Sequence, residues 1–147
     1  MIKPHLPVHV KSVMTPFPYT VEITQTLEEA QVLMAEHDLR HLPVSENEEL
    51  LGVVSDRDIK WALDPVVDFG SGKRLKVEDI LRKDPYIVDL NTNLETVLEE
   101  MVERKIGSVL VTKNGRLAGI FTTSDACAAY LKLLRELGGT HPDDEVA

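Results

Sequence analysis

Two short stretches carry the residue types from which a small-molecule site is built. "GVVSDRDI" sets Ser55 and Asp58 three positions apart, and "GIFTTSDA" sets Thr122 and Asp125 at the same spacing. A hydroxyl at a strand-to-helix junction, beside the free amides of a helix N-terminus, suits a phosphate. An aspartate there repels phosphate, and its natural partner is a neutral pair of hydroxyls such as ribose O2′ and O3′, from which a carboxylate accepts two hydrogen bonds. The same S/T-x-x-D pattern is also a capping box, worth about 1 kcal/mol of helix stability with no ligand involved. The two readings are not exclusive, and the spacing alone leaves both open.

The elements that must hold these residues come in duplicate. Slid against itself, the chain matches at one offset of 67 residues without a gap: Val10 falls on Val77, Pro18 on Pro85, Tyr19 on Tyr86, Met34 on Met101, Gly52 on Gly119 and Asp58 on Asp125. In the first unit Thr26, with Glu29 three places on, caps a helix whose buried stripe is Leu27, Ala30, Leu33 and Met34. In the second, Asn93 caps a helix buried through Leu94, Val97, Leu98 and Met101. The runs "HLPV" and "LLGVV", and "SVLV" and "LAGIF", are strands, joined in the second unit by the hairpin signal Asn114-Gly115 and in the first by "SENEE". A second helix follows each hairpin, from about Asp56 to Leu63 and from about Ser124 to Leu137, and a short leading strand precedes each unit, Tyr19 to Ile23 and Tyr86 to Leu90. The expected order is β-α-β-β-α, twice. The first unit is placed at 8–63, a Gly-rich charged linker at 64–76, the second unit at 77–137 and a mobile acidic tail at 138–147.

The 147 residues fit two small halves sharing a core better than two independent domains, and 43% are hydrophobic. No apolar run approaches a membrane span, and the first residues lack the apolar stretch of a signal peptide, so the expectation is a soluble cytoplasmic protein with no membrane partner. A single cysteine, Cys127, forms no intramolecular disulfide, and reducing conditions suit it. The net charge of −9 argues against nucleic acid as the main partner.

The repeated unit resembles the CBS domain, the module named after cystathionine β-synthase. The resemblance covers roughly Val10 to Leu134 and rests on "VMTPFPYTV", "HDLRHLPV" and "GVVSDRDI" in the first unit, with "ILRKDPYIV", "RKIGSVLV" and "GIFTTSDA" in the second. It implies an α/β (α+β) fold in which two units pack through their sheets about a pseudo-two-fold axis, leaving two clefts. It also implies an adenosyl ligand such as AMP, ATP or S-adenosylmethionine, regulation of a partner protein, and a homodimer formed as a flat disc through its helices. By position, Asp58 and Asp125 would hold ribose and Ser55 and Thr122 phosphate. Residues before the second strand, Leu39, Arg40 and His41 and their counterparts Ile106, Gly107 and Ser108, would line the clefts. Residues entering the first strand of the opposite unit, Thr15 and Thr20 and their counterparts Arg82 and Ile87, would contact adenine. One cleft thus combines Ser55, Arg57 and Asp58 with Arg40, His41, Arg82, Ile87 and Gly107. The other combines Thr122, Ser124 and Asp125 with Gly107, Ser108, Thr15, Thr20, Arg40 and His41. Arg57 and Arg82 have the neutral counterparts Ser124 and Thr15, so the first cleft is expected to favour more highly phosphorylated ligands.

Other residues that could do chemistry have plainer readings. His41 has no second ligand at helical or hairpin spacing, so no metal site is assigned. His5, His9, His37 and His141 read as surface residues, Trp61 as a residue buried at an interface, and Cys127 as packed on an apolar helix face. Three function classes remain: a regulatory module responding to an adenine nucleotide, with or without magnesium and with no required cofactor; a ligand-free dimerisation module; and an enzyme. Nothing resembles an activated nucleophile, a metal cluster or a Gly-rich phosphate loop, so the expectation is not an enzyme. S-adenosylmethionine and NADH stand as alternative ligands.

Overall fold

The hydroxyl of Thr26 accepts a hydrogen bond from the Glu29 N–H at 3.2 Å and starts helix α1 (Leu27–His37) where the sequence indicates. Leu27, Ala30 and Met34 are buried on its inner stripe. Asn93 caps α3 (Leu94–Arg104) from the Glu95 N–H at 3.0 Å, with Val97 and Met101 buried; Leu98, expected in that stripe, is exposed. The computed structural model describes residues 8–16, 18–67, 74–82 and 84–138. His5, His141, residues 68–73 of the expected linker and 139–147 of the expected tail lie outside them.

The strands are β1 (Thr15–Pro16), β2 (Val21–Glu22), β3 (His41–Glu46), β4 (Glu49–Ser55), β5 (Ile87–Asp89), β6 (Ser108–Lys113) and β7 (Arg116–Thr122). The remaining helices are α2 (Asp56–Leu63) and α4 (Thr123–Gly138). The sheets run β2-β3-β4 and β1-β7-β6-β5, with β2/β3 and β5/β6 parallel and the hairpins antiparallel. Alternation along the strands sends Leu42, Val44 and Val54 into the first helix-covered core and Val109, Val111 and Phe121 into the second. Residues of opposite parity, among them Leu110 and Ile120, are buried on the other face, where β4 lies against β6 and the two sheets meet.

Each unit's leading segment packs into the other unit. Val10, in a single turn of 3-10 helix (Val10–Ser12), belongs to the second core with Val13 and Met14; Val77, in the matching turn (Val77–Asp79), belongs to the first core with Leu75, Ile80 and Leu81. Leu75, placed in the linker from the sequence, is thus a core residue. Backbone bonds repeat the exchange: Val10 N–H donates to the Thr92 carbonyl at 2.9 Å, and Val77 N–H to the Gln25 carbonyl at 2.8 Å. Thr15 then pairs with Ile120 of β7, and Arg82 with Val53 of β4. These two pairings are related by the 67-residue offset, so the pseudo-two-fold relation of the sequence is present in the backbone.

The crossing explains the glycine that opens both motifs. A Cβ on Gly52 would lie 2.5 Å from the Arg82 carbonyl oxygen, and one on Gly119 would lie 2.8 Å from the Thr15 carbonyl oxygen. At both positions a side chain would occupy the path of the opposite unit's backbone.

The hairpin turns differ in strain. Asn114 and Gly115 both take positive φ, 53° and 77°, as a two-residue hairpin turn demands; Asn47 and Glu48 take 49° and 69°. Glu48 therefore holds a left-handed conformation that costs a residue with a Cβ about 1–2 kcal/mol. Glu48→Gly is expected to raise the melting temperature, by about 2–4 °C per kcal/mol relieved, as read by scanning calorimetry.

Helix α4 departs from expectation. None of its residues is buried, and only Ala126 packs in part against the second core. Cys127 is exposed rather than packed, because one further step of about 100° around the helix turns it away from the sheet that Ala126 touches. Among the described residues, no helix is long and apolar enough to cross a membrane.

Candidate functional site

At the mouth of the first hairpin, β3 and β4 end side by side, with His41 paired to Ser55. The Ser55 hydroxyl caps α2 by accepting from the Asp58 N–H at 3.1 Å, while the Asp56 N–H donates to the Arg40 carbonyl at 2.8 Å. These bonds fix Arg40, His41, Ser55 and Asp58 on one rim. Opposite them stand Arg82, brought in by the crossing segment, and Ile106, Gly107 and Ser108 at the start of β6. Together with Arg57 they surround a cleft of about 390 Å³. Six further residues line it that the sequence did not single out: Val53, Asp56, Asp84, Pro85, Tyr86 and Lys105. The repeat held a signal for two of them, since Tyr86 matches Tyr19, and Lys105 matches Asp38, both of the latter pair ending their helices with positive φ.

The charges in this cleft are unevenly matched. Asp58 pairs with Arg82, Asp56 with Lys60 at 2.9 Å, and Asp84 with Arg104 at 3.5 Å. Arg40, Arg57 and Lys105 form no ion pair among the described residues. All three carboxylates are thus compensated while three cations face the cleft unmatched, an arrangement suited to an anion. Arg104 also donates to the Asp84 carbonyl at 3.3 Å and lies 5.5 Å from the Tyr86 ring centroid, which secures the segment forming that wall. Burial holds the His41 imidazole below its usual pKa, with Arg40 and Arg82 acting in the same direction and Asp58 and Asp56 opposing. Burial, with Glu100, pushes the Tyr86 phenol up, so it stays protonated at neutral pH.

The second S/T-x-x-D element is arranged otherwise. The Asp125 carboxylate accepts from the Thr122 N–H at 2.9 Å, from the Thr122 hydroxyl at 3.1 Å and from the Thr15 hydroxyl at 3.0 Å. The Thr122 hydroxyl accepts in turn from the Asp125 N–H at 3.4 Å. This is a closed, reciprocal capping box tied to the crossing strand. At Asp58 only the hydroxyl-to-amide half is present, and the carboxylate faces the cleft.

Of the remaining expected residues, Ser124 is exposed on the first turn of α4, and Leu39 packs against the first core. Ile87 begins β5 and is exposed, with its neighbour Tyr86 turned to the cleft instead. Thr20 lies in a separate depression beside the two hairpin turns, with Glu22, Asn47 and Arg116. His37 is exposed and stacks on Tyr19 at 3.7 Å between centroids. Trp61, expected to be covered, is 55% exposed on the single chain.

Comparison with known proteins places this architecture. The family model for the CBS domain matches the chain twice, at residues 10–68 and 77–132. The chain belongs to the CBS-domain family. This CBS pair is similar to a CBS domain-containing protein of Dictyostelium discoideum, with 29% identity over 134 residues covering 85% of this chain and 92% of that protein. It is 35% identical over 107 residues to an inosine-5′-monophosphate dehydrogenase of Korarchaeum cryptofilum, of which it spans only 21%. Among solved structures, the AMP complex of CBSX2 superposes with a TM-score of 0.71 at 29% identity, covering 86% of this chain and 98% of that one. A proposed acetoin utilization protein of Vibrio cholerae gives 0.76 at 30% identity, covering 93% and 100%.

Proposed function

We propose that this CBS pair is a regulatory module that binds an anionic adenosyl nucleotide of the AMP, ADP and ATP class in the Asp58 cleft and thereby modulates a partner protein, with no catalysis of its own. The observation that carries the reading is the cleft's surplus of unmatched cations, Arg40, Arg57 and Lys105, beside an aspartate whose carboxylate is turned into the cleft. Cations suit phosphate and disfavour the sulfonium of S-adenosylmethionine. The AMP held by CBSX2, a relative at 29% identity, supports the adenosyl part. In this reading the nucleotide is an exchangeable signal, not a resident cofactor, and the exposed thiol of Cys127 fits a reducing, cytoplasmic setting.

A thermal-shift panel on stripped protein tests it, using AMP, ADP, ATP, S-adenosylmethionine, NADH and a guanine nucleotide, with and without magnesium. A ligand at 100 times its Kd adds about 2.7 kcal/mol, which in a chain of this size is a rise of roughly 5–10 °C. No shift with any adenine nucleotide at millimolar concentration would leave the ligand-free dimerisation module as the better reading.

Assembly belongs to the same proposal. Tyr130, Leu131, Leu134 and Leu137 of α4, together with Trp61 of α2, are between 47% and 75% exposed on the single chain. A helix this apolar on its outward side calls for a cover, and a second copy of the chain supplies one. Sedimentation at micromolar concentration is expected to show a homodimer; a monomer would contradict it.

A further inference from the structure

The carboxylate expected to receive the ligand's hydroxyls is already held by a cation. Arg82 reaches Asp58 as a fork, Nε to Oδ2 at 3.3 Å and Nη2 to Oδ1 at 3.4 Å, and its side chain remains 68% exposed. The backbone of Arg82 is fixed by its bridge to Val53, in the space that Gly52 leaves open, so only the side chain is free to move. At the equivalent place in the other half Thr15 donates a single hydroxyl bond to Asp125. An exposed pair of this kind is weak and exchanges readily.

We infer that the Asp58–Arg82 pair is a selectivity latch: ligand hydroxyls displace the guanidinium from Asp58, and the released Arg82 turns to the ligand's phosphate, so that the cleft takes nucleotides and refuses uncharged nucleosides. This rests on the adenosyl-nucleotide reading above and adds the residue that enforces the charge. A nucleotide replaces both halves of the pair, giving Asp58 two hydroxyl donors and Arg82 an anion. A nucleoside replaces only one half and leaves the Arg82 guanidinium without its ion-pair partner, in a cleft that Arg57 also lines.

The test is isothermal titration of AMP and of adenosine into the wild-type chain and into Arg82→Thr, which installs the residue type of the equivalent position and keeps the backbone bridge. Loss of the charge-assisted phosphate contact weakens AMP about tenfold or more. Adenosine is expected to bind Arg82→Thr at least as well as wild type, because no guanidinium has to be displaced from Asp58. The ratio of AMP to adenosine affinity therefore collapses by at least about tenfold. An unchanged ratio, with both ligands retained or both weakened alike, would overturn the latch while leaving the nucleotide site standing. Binding of neither ligand to the wild-type chain would overturn the nucleotide reading and the latch with it. An unchanged melting temperature of Arg82→Thr without ligand shows that the comparison is between folded proteins.

Discussion

Gly52→Ala lowers the melting temperature by roughly 2–12 °C, since overpacking costs about 1–3 kcal/mol and each kcal/mol moves a chain of this size by about 2–4 °C. The new methyl would meet the Arg82 carbonyl at 2.5 Å and the Leu81 side chain at 3.0 Å. A carbonyl in a paired segment cannot swing aside as a flexible side chain can. Relief comes only by pushing residues 81–82 off β4, which also draws Leu81 away from the first core and Arg82 away from Asp58. Gly52→Ala therefore damages stability and ligand affinity together. Scanning calorimetry alongside AMP titration checks both, and a variant that melts and binds like wild type would show that the crossing backbone is less closely held than described.

The two motif aspartates separate stability from binding. Asp125→Ala removes an acceptor of three hydrogen bonds, releasing Thr122 at the head of α4 and Thr15 of the crossing strand. The Thr122 hydroxyl still accepts from the backbone N–H of residue 125, but hydrogen bonds worth about 0.5–1.5 kcal/mol each are lost, so this variant melts lower. Its affinity for AMP stays close to wild type. Asp58→Ala leaves the Ser55 hydroxyl still capping α2 and removes only an exposed ion pair, worth about 0–1 kcal/mol. It keeps its melting temperature while AMP binding falls by about 10- to 150-fold, the equivalent of about 1.5–3 kcal/mol of charge-assisted hydrogen bonding. Equal loss of affinity in the two variants would remove the asymmetry between the halves.

That asymmetry was only partly legible in the sequence. The 67-residue repeat, the caps at Thr26, Asn93 and Ser55, and the Asn114-Gly115 turn are local signals, and each stands where the residues indicate. The charge difference between Arg82 and Thr15 was equally readable. What could not be read was which partner each carboxylate chooses, because the choice depends on the side chain presented by a segment of the other unit. The core membership of Leu75 was hidden for a related reason. Val10 and Val77 are the same residue at matching positions, and nothing local says which of two similar cores each one enters. Tyr86 lines the cleft where its neighbour Ile87 does not, and position in the repeat alone does not tell which of two adjacent residues of an extended segment faces it, since their side chains point to opposite sides. Cys127 was misplaced because α4 touches its sheet only near its first turn, and an apolar composition does not reveal where that contact ends.

The most direct measurement of the central claim is the stoichiometry and location of AMP on the stripped chain, by isothermal titration of the wild type at concentrations well above Kd, paired with Asp58→Ala. One AMP per chain, with its affinity reduced at least about tenfold in Asp58→Ala, is the predicted result, since of the two S/T-x-x-D aspartates only Asp58 lines the described cleft. Two equal sites per chain, or one site of unchanged affinity in Asp58→Ala, would contradict it.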